Sequence, residues 1–212
     1  MPFKFRRVGP VASTLAGVLF VAGCGSSPKP NAATASAGGS QLTVVAGENE
    51  YGDVVAQVGG SGVSVYSVDS NPNTDPHTYE ATPSVAQKIA NAMVLVENGV
   101  GYDDFMTKLA SASPNPARKV IDVQQLLGLP DATPNPHLWY DPKTMPVVAQ
   151  AVATDLSELD PVHASTYQAN EAKFVASLQP WLTAIAAFKA KYQGTTAATT
   201  EPVADYLLEA MG

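Results

Sequence analysis

Residues 42–68 read "LTVVAGENEYGDVVAQVGGSGVSVYSV", and the order of patterns in this stretch decides the fold. Its two ends, residues 42–46 and 63–68, are short valine-rich runs of the kind found in strands that are buried on both faces. Between them, residues 50–60 form a helical candidate that ends in a glycine stop. A strand, a helix and a second strand in this order predict a parallel pair of strands joined by a right-handed crossover.

The same alternation of strand and helix continues for another fifty residues. The further candidates are the strands "AMVLVENG" (92–99) and "KVIDV" (119–123) and the helices "TPSVAQKIANA" (82–92) and "GYDDFMTKLASAS" (101–113). Thr82 and Pro83 have the residue types preferred at the N-cap and first turn of a helix. We therefore expect one α/β lobe with a parallel sheet over residues 41–142, which is long enough to form its own core.

The chain changes character after residue 142. Residues 143–159 read as a helix, and residues 160–194 read as a very long one that is opened by Asp160 and Pro161 and closed by Gly194. Pro180 interrupts the second helix, so a kink is expected there. We assign residues 143–193 to these helices, of which the long one is expected to link two lobes.

Only eighteen residues follow Gly194. "TTAATT" (195–200) could be a small strand and "PVADYLLEAMG" (202–212) an amphipathic helix. Eighteen residues cannot build a second core, so residues 194–212 read as the start of a C-terminal lobe that is cut short. The expected fold is α/β, with a parallel-sheet N-terminal lobe joined by a long helix to a second α/β lobe of which only the start is present.

The N terminus has the features of a bacterial lipoprotein signal. Three basic residues precede a short apolar run, and "VAGC" ends with Cys24, the only cysteine of the chain. The apolar run is too short for a stable membrane span, and a position directly after small residues favours lipidation over a buried thiol. We expect residues 1–23 to be a signal peptide, Cys24 to carry the lipid, and residues 24–40 to be a flexible tether.

The charge of the chain excludes one class of partner. The formal net charge is -7, and removal of the signal would take away three more basic residues, Lys4, Arg6 and Arg7. An acidic chain lacks the basic surface that nucleic acids require and suits a protein that attracts cations. No nucleic-acid partner is therefore expected.

Two of the three histidines follow a proline in similar surroundings. His77 lies in "NPNTDPHTYE", after the second predicted strand, and His137 lies in "TPNPHLWYDP", after the fourth. Both loops leave the carboxyl edge of the sheet, where open α/β sheets bind ligands. One interpretation is a pair of surface histidines beside aromatic residues. Two such loops at the same edge favour a shared metal ion instead, and imidazole is a common ligand for zinc.

The remaining candidates divide into one exclusion and one addition. His163 lies in the first turn of the long helix and is interpreted as a capping or packing residue. Glu201 would lie at a strand-to-helix junction, which is the same kind of position as the two loop histidines.

Several segments together resemble the metal-binding lipoproteins of ABC importers for zinc and manganese, the ZnuA and PsaA-like family. They include "AGENEYGDVVAQVGG", "DPHTYE", "NPHLWYDP" and "TEPVADYLLEAMG", and the likeness runs from Gln41 to Gly212. The resemblance implies two α/β lobes joined by a rigid helix, with two histidines from the first lobe and two ligands from the second. His77, His137 and Glu201 match three of these ligands, and the fourth, an acidic residue, has no counterpart.

The resemblance also implies the setting of the protein. It implies a monomer, lipid-anchored on the extracytoplasmic face of the bacterial cell membrane, that passes metal to ABC permease and ATPase subunits. Two imidazoles and one or two carboxylates suit Zn²⁺ and accept Mn²⁺, and intrinsic affinities favour zinc. The expected function is capture and delivery of this metal ion, with no enzymatic activity.

Two other functions are compatible with parts of the sequence. Two histidines and a glutamate with an open position are also the ligand set of a zinc hydrolase, for which Glu80 would be the nearest general base. No "HExxH" motif supports that interpretation. Surface adhesion is the other alternative, and the sequence has no repeats or long apolar segment that would favour it.

Overall fold

The structure of this chain is a computed structural model that describes residues 40–71 and 79–212. Its centre is a four-stranded, all-parallel sheet in the order β2-β1-β3-β4. The strands are β1 (Leu42–Glu48), β2 (Val63–Asp69), β3 (Val94–Glu97) and β4 (Lys119–Asp122). The predicted α/β class and all four valine-rich strands are confirmed.

The sheet is built outward in two directions from its central pair of strands. The chain passes from β1 to β2 on one side, and later places β3 and β4 on the other side of β1. The direction therefore changes between β1 and β3, and loops that leave adjacent strands on either side of such a point diverge and leave a crevice. The strand order thus predicts a crevice at the carboxyl ends of β1 and β3.

Eight α-helices are found in the described part of the chain. They are α1 (Asn49–Gly59), α2 (Pro83–Asn91), α3 (Asp104–Ala112), α4 (Val123–Leu126), α5 (Thr144–Leu159), α6 (Ala164–Ser177), α7 (Gln179–Tyr192) and α8 (Asp205–Met211). Short 3₁₀ turns cover Gly60–Gly62, Leu138–Tyr140, Pro161–His163 and Pro202–Ala204. Within residues 40–71 and 79–212, none of these helices combines the length and the apolar character that a membrane crossing needs.

Two apolar cores lie on opposite faces of the sheet. Val44 and Ala46 of β1 face the larger core, which α1, α5 and α6 cover, while Val45 faces the smaller core beneath α2 and α3. Alternate side chains of a strand point to opposite faces, so a strand covered on both sides needs apolar residues at every position. This explains why the strand sequences are continuous valine-rich runs.

The boundaries of the first helices follow the expected signals. The Thr82 hydroxyl accepts a hydrogen bond from the Val85 amide at 3.4 Å, and Pro83 occupies the first turn of α2. Helix α1 ends at Gly59, and Gly60 has a φ of 54°, a conformation that glycine adopts without steric cost. The N-cap and the glycine stop predicted from the sequence are thus confirmed.

Arg118 ties together the amino end of the sheet. Its guanidinium group donates to the carbonyl oxygens of Ala90, Ala92 and Ala110 at 3.0, 3.2 and 3.3 Å. These carbonyls belong to the C-terminal ends of α2 and α3, where a cation also interacts favourably with the helix dipole. One side chain therefore holds both helices beside the start of β4.

The predicted long helix is divided into two. Helix α6 ends at Ser177 and α7 begins at Gln179, with Leu178 between them. The break falls two residues before Pro180, because proline has no N–H to donate and its ring crowds the carbonyl of the preceding turn. The kink is confirmed near its expected place, and the α-helix starts at Ala164, after a 3₁₀ turn, rather than at Asp160.

His163 makes a local contact with the turn that precedes α6, although its side chain does not cap the helix. Its Nδ1 lies 2.6 Å from the Asp160 carboxylate, which also accepts a hydrogen bond from the Tyr167 hydroxyl at 2.8 Å. These two hydrogen bonds hold the pKa of Asp160 below its usual value. The histidine therefore belongs to the start of the long helical segment.

The prediction of a possible strand at residues 195–200 is wrong. These residues are exposed and have no regular structure, and only β1 to β4 pair within the described sheet. A strand requires a hydrogen-bonded neighbour, which this segment lacks in the described structure. The helix expected after it is present as the 3₁₀ turn at Pro202–Ala204 followed by α8.

Candidate metal site

All four strands end in an acidic residue at the carboxyl edge of the sheet. The four residues are Glu48, Asp69, Glu97 and Asp122, and the register places Glu48 beside Asp69 and Glu97 beside Asp122. We call this row of carboxyl groups the acidic edge. Sequence reasoning missed it, although an acid within two residues of the last apolar residue of each run was the available signal.

His137 lies at this end of the lobe, directly before the 3₁₀ turn at Leu138–Tyr140. Asn135 fixes its position, because the Asn135 Oδ1 accepts a hydrogen bond from the His137 amide at 3.0 Å and lies 2.8 Å from the imidazole Nδ1. The same Asn135 side chain donates from Nδ2 to the Pro202 carbonyl at 2.6 Å. Asn135 is itself buried.

This arrangement determines which imidazole nitrogen carries the proton. Asn135 Oδ1 faces an amide N–H and Asn135 Nδ2 faces a carbonyl, so the side-chain amide has one consistent orientation. An acceptor 2.8 Å from the imidazole Nδ1 requires Nδ1 to be the donor. The neutral ring of His137 then carries its lone pair on Nε2, which is the state in which histidine binds a metal ion.

Two further contacts anchor the backbone of the His137 loop. Asn98, which follows β3, donates from Nδ2 to the Pro136 carbonyl at 2.8 Å, and its Oδ1 accepts from the buried Tyr51 hydroxyl at 2.6 Å. Tyr206 of α8 donates from its hydroxyl to the Asn135 carbonyl at 2.8 Å. The loop is therefore held by the sheet on one side and by residues 202–206 on the other.

Aromatic rings surround His137. The ring centroids of Tyr102 and Trp139 lie 5.7 and 5.4 Å from the imidazole, both in edge-on arrangements, and Tyr51 packs against Trp139. Burial raises the pKa of Tyr102, which keeps its hydroxyl protonated. These rings limit the rotation of the imidazole and lower the local dielectric constant.

Glu48 is the most buried member of the acidic edge. The residue is 3% exposed. Its Oε2 is the one buried side-chain nitrogen or oxygen atom in the described residues that has no hydrogen-bond partner. Burial raises its pKa well above the ordinary value, and the charges of Asp103, Glu50 and Asp69 raise it further. The fold thus favours the neutral, protonated form of this carboxyl group.

The pKa values of Glu97 and Asp103 are also raised. Burial raises the pKa of Glu97 to about 7, although a hydrogen bond from the Thr107 hydroxyl opposes the shift. Burial also raises the pKa of Asp103 to about 6, against the backbone amides of Asn98 and Gly99 that donate to its carboxylate. Several carboxyl groups held close together explain why a cation would be favoured at this edge.

The predicted metal ligands and the predicted lipidation site are only partly within the described structure. His77 and Cys24 lie outside the described residues, and Glu201 is an exposed, extended residue directly before the 3₁₀ turn at Pro202–Ala204. Glu201 precedes Pro202, whose carbonyl binds Asn135, so backbone contacts bring its segment to the His137 loop. Within residues 40–71 and 79–212, no three histidine, cysteine or acidic side chains form a group that could hold a metal ion.

Curated relatives of this chain are metal-binding lipoproteins. The chain is 30% identical over 169 residues to the manganese-binding lipoprotein MntA of Halalkalibacterium halodurans, an alignment that covers 76% of this chain and 53% of that protein. It is 26% identical over 186 residues to the iron ABC transporter substrate-binding lipoprotein MtsA of Streptococcus pyogenes, covering 82% of this chain and 58% of the relative. The chain thus spans about half the length of these relatives.

Solved structures share the fold. A cadmium-bound periplasmic metal-binding protein from Candidatus Liberibacter asiaticus matches with a TM-score of 0.70 at 22% identity, over 81% of this chain and 66% of that protein. A zinc-bound ZnuA deletion mutant matches with a TM-score of 0.69 at 26% identity, over 81% and 67% of the two chains.

The model of one protein family matches most of the described structure. It is the model of ZnuA, the periplasmic component A of the zinc-uptake complex, and it matches residues 44–212. This range includes the sheet, the His137 loop and the segment around Glu201. The chain therefore belongs to the ZnuA family.

Proposed function

We propose that this protein captures a divalent transition-metal ion outside the cytoplasm and delivers it to the permease and ATPase subunits of an ABC importer. Zn²⁺ is the preferred cargo and Mn²⁺ is accepted. The observation that carries the proposal is the His137 imidazole, which Asn135 holds with its lone pair on Nε2 at the carboxyl edge of the sheet. Membership of the ZnuA family and relatives named for metal binding support it.

The proposed ligands are His77, His137 and Glu201. The two imidazoles supply neutral nitrogen donors, and the Glu201 carboxylate supplies an oxygen and offsets part of the charge of the ion. A fourth donor is not assigned. A cation bound near the acidic edge would favour ionisation of its carboxyl groups and would then be attracted by their charge.

The preference for zinc rests on the chemistry of the donors. Sites built from imidazole and carboxylate groups bind first-row divalent ions in an order that places Zn²⁺ well above Mn²⁺. The relatives differ in the metal that their names state, with manganese for MntA and iron for MtsA, and a ZnuA structure contains zinc. The proposed preference for zinc over manganese therefore rests on the type of ligand.

The two alternative functions receive less support. The names of the curated relatives describe metal binding and ABC transport, which favours a binding protein over a hydrolase. Glu80, the general base that a hydrolase would need, is exposed, whereas catalytic bases of raised pKa are more often at least partly buried. No described feature favours adhesion.

The proposed setting is the extracytoplasmic face of a bacterial membrane. Residues 1–23 would be removed, Cys24 would carry the lipid, and residues 24–40 would connect it to a monomeric body. In that body residues 41–142 form the N-terminal lobe, residues 143–193 the linking helices, and residues 194–212 the start of a second lobe. Relatives named as lipoproteins support the anchor.

The proposal is tested by measuring zinc affinity with a competing chelator. His77→Ala and His137→Ala should each weaken zinc binding by about two orders of magnitude or more, since each removes a nitrogen ligand. Glu201→Ala should weaken it less, because an exposed oxygen donor is replaced more easily by water. His163→Ala is the matched control and should bind like the wild type, since Asp160 holds that ring elsewhere.

Three results would contradict the proposal. Unchanged zinc affinity in both His77→Ala and His137→Ala would remove the site from these loops. Tighter binding of Mn²⁺ than of Zn²⁺ in direct competition would reverse the proposed preference. Acidification from pH 7.5 to 5 should also release the metal, since protons compete for the imidazole nitrogens, and full retention at pH 4 would exclude histidine ligands.

A further inference from the structure

Asn135 connects two parts of the chain that are 67 residues apart in sequence. Its Oδ1 holds the amide and the Nδ1 of His137, while its Nδ2 donates to the Pro202 carbonyl at 2.6 Å. Its own carbonyl accepts from the Tyr206 hydroxyl at 2.8 Å. A single buried residue thus touches both the metal-binding loop and the segment that follows the linking helices.

The two ends of the Asn135 side chain depend on each other. The amide group is planar, so its oxygen can face His137 only while its nitrogen faces the opposite direction, toward Pro202. If residues 202–206 move away, the buried Nδ2 loses its acceptor, and only the contacts of Oδ1 with His137 still hold the Asn135 side chain. The contact of Oδ1 with the imidazole Nδ1, which selects the tautomer with its lone pair on Nε2, is then less restrained.

The contact with Pro202 also determines where Glu201 lies. Glu201 is the residue directly before Pro202, with extended backbone dihedral angles of -145° and 154°. Docking of Pro202 on Asn135 therefore brings the Glu201 segment to the loop and, through the same amide, sets the proton position of His137. One contact therefore links the two segments that carry these candidate ligands.

We propose that Asn135 is a positioning residue that couples the metal-binding state of His137 to the docking of residues 202–206. Metal affinity is high while this segment is docked and falls when the segment moves away. This inference rests on the proposed function, in which His137 is a ligand. It gives an importer a route to release, since separation of residues 202–206 from the loop disturbs His137 as well as Glu201.

The first measurement is the tautomer of His137 in the metal-free protein, read from the ¹⁵N chemical shifts of its ring nitrogens. The wild type should show the Nδ1–H form. Asn135→Ala removes the acceptor and should shift the ring toward the Nε2–H form, while Asn135→Asp keeps an acceptor and should restore the Nδ1–H form. This readout does not depend on metal binding, so it separates failure of this inference from failure of the proposed function.

The second measurement is amide hydrogen exchange of residues 203–206 in the metal-free protein. Asn135→Ala and Asn135→Asp should both speed exchange, because neither side chain donates to the Pro202 carbonyl. Tyr206→Phe removes only the hydroxyl that binds the Asn135 carbonyl and should speed exchange to a smaller extent. It is the mild variant if the Asn135 variants fold poorly, which thermal unfolding would reveal.

The third measurement is zinc affinity at pH 7.5. Asn135→Ala should lower it by about 10- to 100-fold, the usual effect of losing a partner that orients a metal-binding histidine. Tyr206→Phe should lower it by a few-fold, although it touches neither His137 nor Glu201 directly in the hydrogen bonds described. An unchanged tautomer in Asn135→Ala would overturn the positioning role. Faster exchange of residues 203–206 in Tyr206→Phe without any loss of zinc affinity would overturn the coupling.

Discussion

Replacement of Glu97 by glutamine should make the lobe more stable at neutral and alkaline pH and leave it unchanged at acid pH. Glu97 ends β3, is 7% exposed, and accepts a hydrogen bond from Thr107 at 3.0 Å. Burial raises its pKa from 4.5 to about 7, with further contributions from the charges of Asp103, Asp122 and Asp104. Glutamine has the same shape and still offers an oxygen to the Thr107 hydroxyl.

The sign and size of the effect follow from the pKa of Glu97. Below pH 4.5 the carboxyl group is protonated in both the folded and the unfolded chain, so its ionisation contributes nothing to stability. Between pH 4.5 and about 7 the unfolded chain loses the proton while the folded chain keeps it, and stability falls as pH rises. The full shift corresponds to about 3 kcal/mol. Screening by solvent at the sheet edge reduces the expected gain from glutamine to about 1–2 kcal/mol.

The assay is urea unfolding of the wild type and Glu97→Gln at pH 4, 6 and 8. The difference in free energy of unfolding should be within about 0.5 kcal/mol at pH 4 and grow to about 1–2 kcal/mol at pH 8. Glu209→Gln, on the exposed surface of α8, is the matched control and should show no such trend. A Glu97→Gln protein that is equally or less stable than the wild type at pH 8 would refute the reasoning.

Three further substitutions test the packing behind the site by urea unfolding at pH 7. Tyr51→Phe should cost about 1–2 kcal/mol, because it leaves the buried Asn98 Oδ1 without its donor; a loss below about 0.3 kcal/mol would contradict this. Leu156→Ala should cost about 2–5 kcal/mol, since this α5 side chain is fully buried; a cost below about 1 kcal/mol would show that the core closes around the gap. Arg118→Ala should cost about 1–3 kcal/mol, because three carbonyl oxygens lose the guanidinium group that donates to them. Equal stability of Arg118→Ala and the wild type would show that water replaces the guanidinium group.

Most of the fold could be predicted because local and global preferences agree. Strands buried on both faces need apolar side chains at every position, so each strand of the sheet is visible as a valine-rich run. Strand ends were less predictable. Strand β1 continues through Gly47 to Glu48, which pairs with Asp69, although glycine and glutamate do not favour strands.

The candidate site was predictable only at the level of its loops. The Pro-His pairs indicate where imidazoles leave the sheet, and His137 lies at the expected edge. That Asn135 binds Pro202 depends on how the chain returns after the long helical segment, which no local pattern encodes. The burial of Glu48 is likewise a tertiary property, since Asp103 and Tyr51 approach it only in the folded lobe.

The expected strand at residues 195–200 failed for a related reason. Threonine favours strands, but strand formation depends on a neighbouring strand rather than on composition. The described sheet ends at β2 on one side and β4 on the other, and residues 195–200 pair with neither. The prediction of a helix after them succeeded because Pro202 in the first turn is a local signal.

The guanidinium group of Arg118 has a mechanical consequence for the whole lobe. It holds the C-terminal ends of α2 and α3 at the amino end of the sheet, while the His137 loop and residues 202–206 lie at the carboxyl end. A force applied to those loops by a docking partner would act at the end of the lobe opposite to the three hydrogen bonds of Arg118. We therefore expect the displacement caused by such a force to be larger in these loops than in α2 and α3, which Arg118 holds at the opposite end.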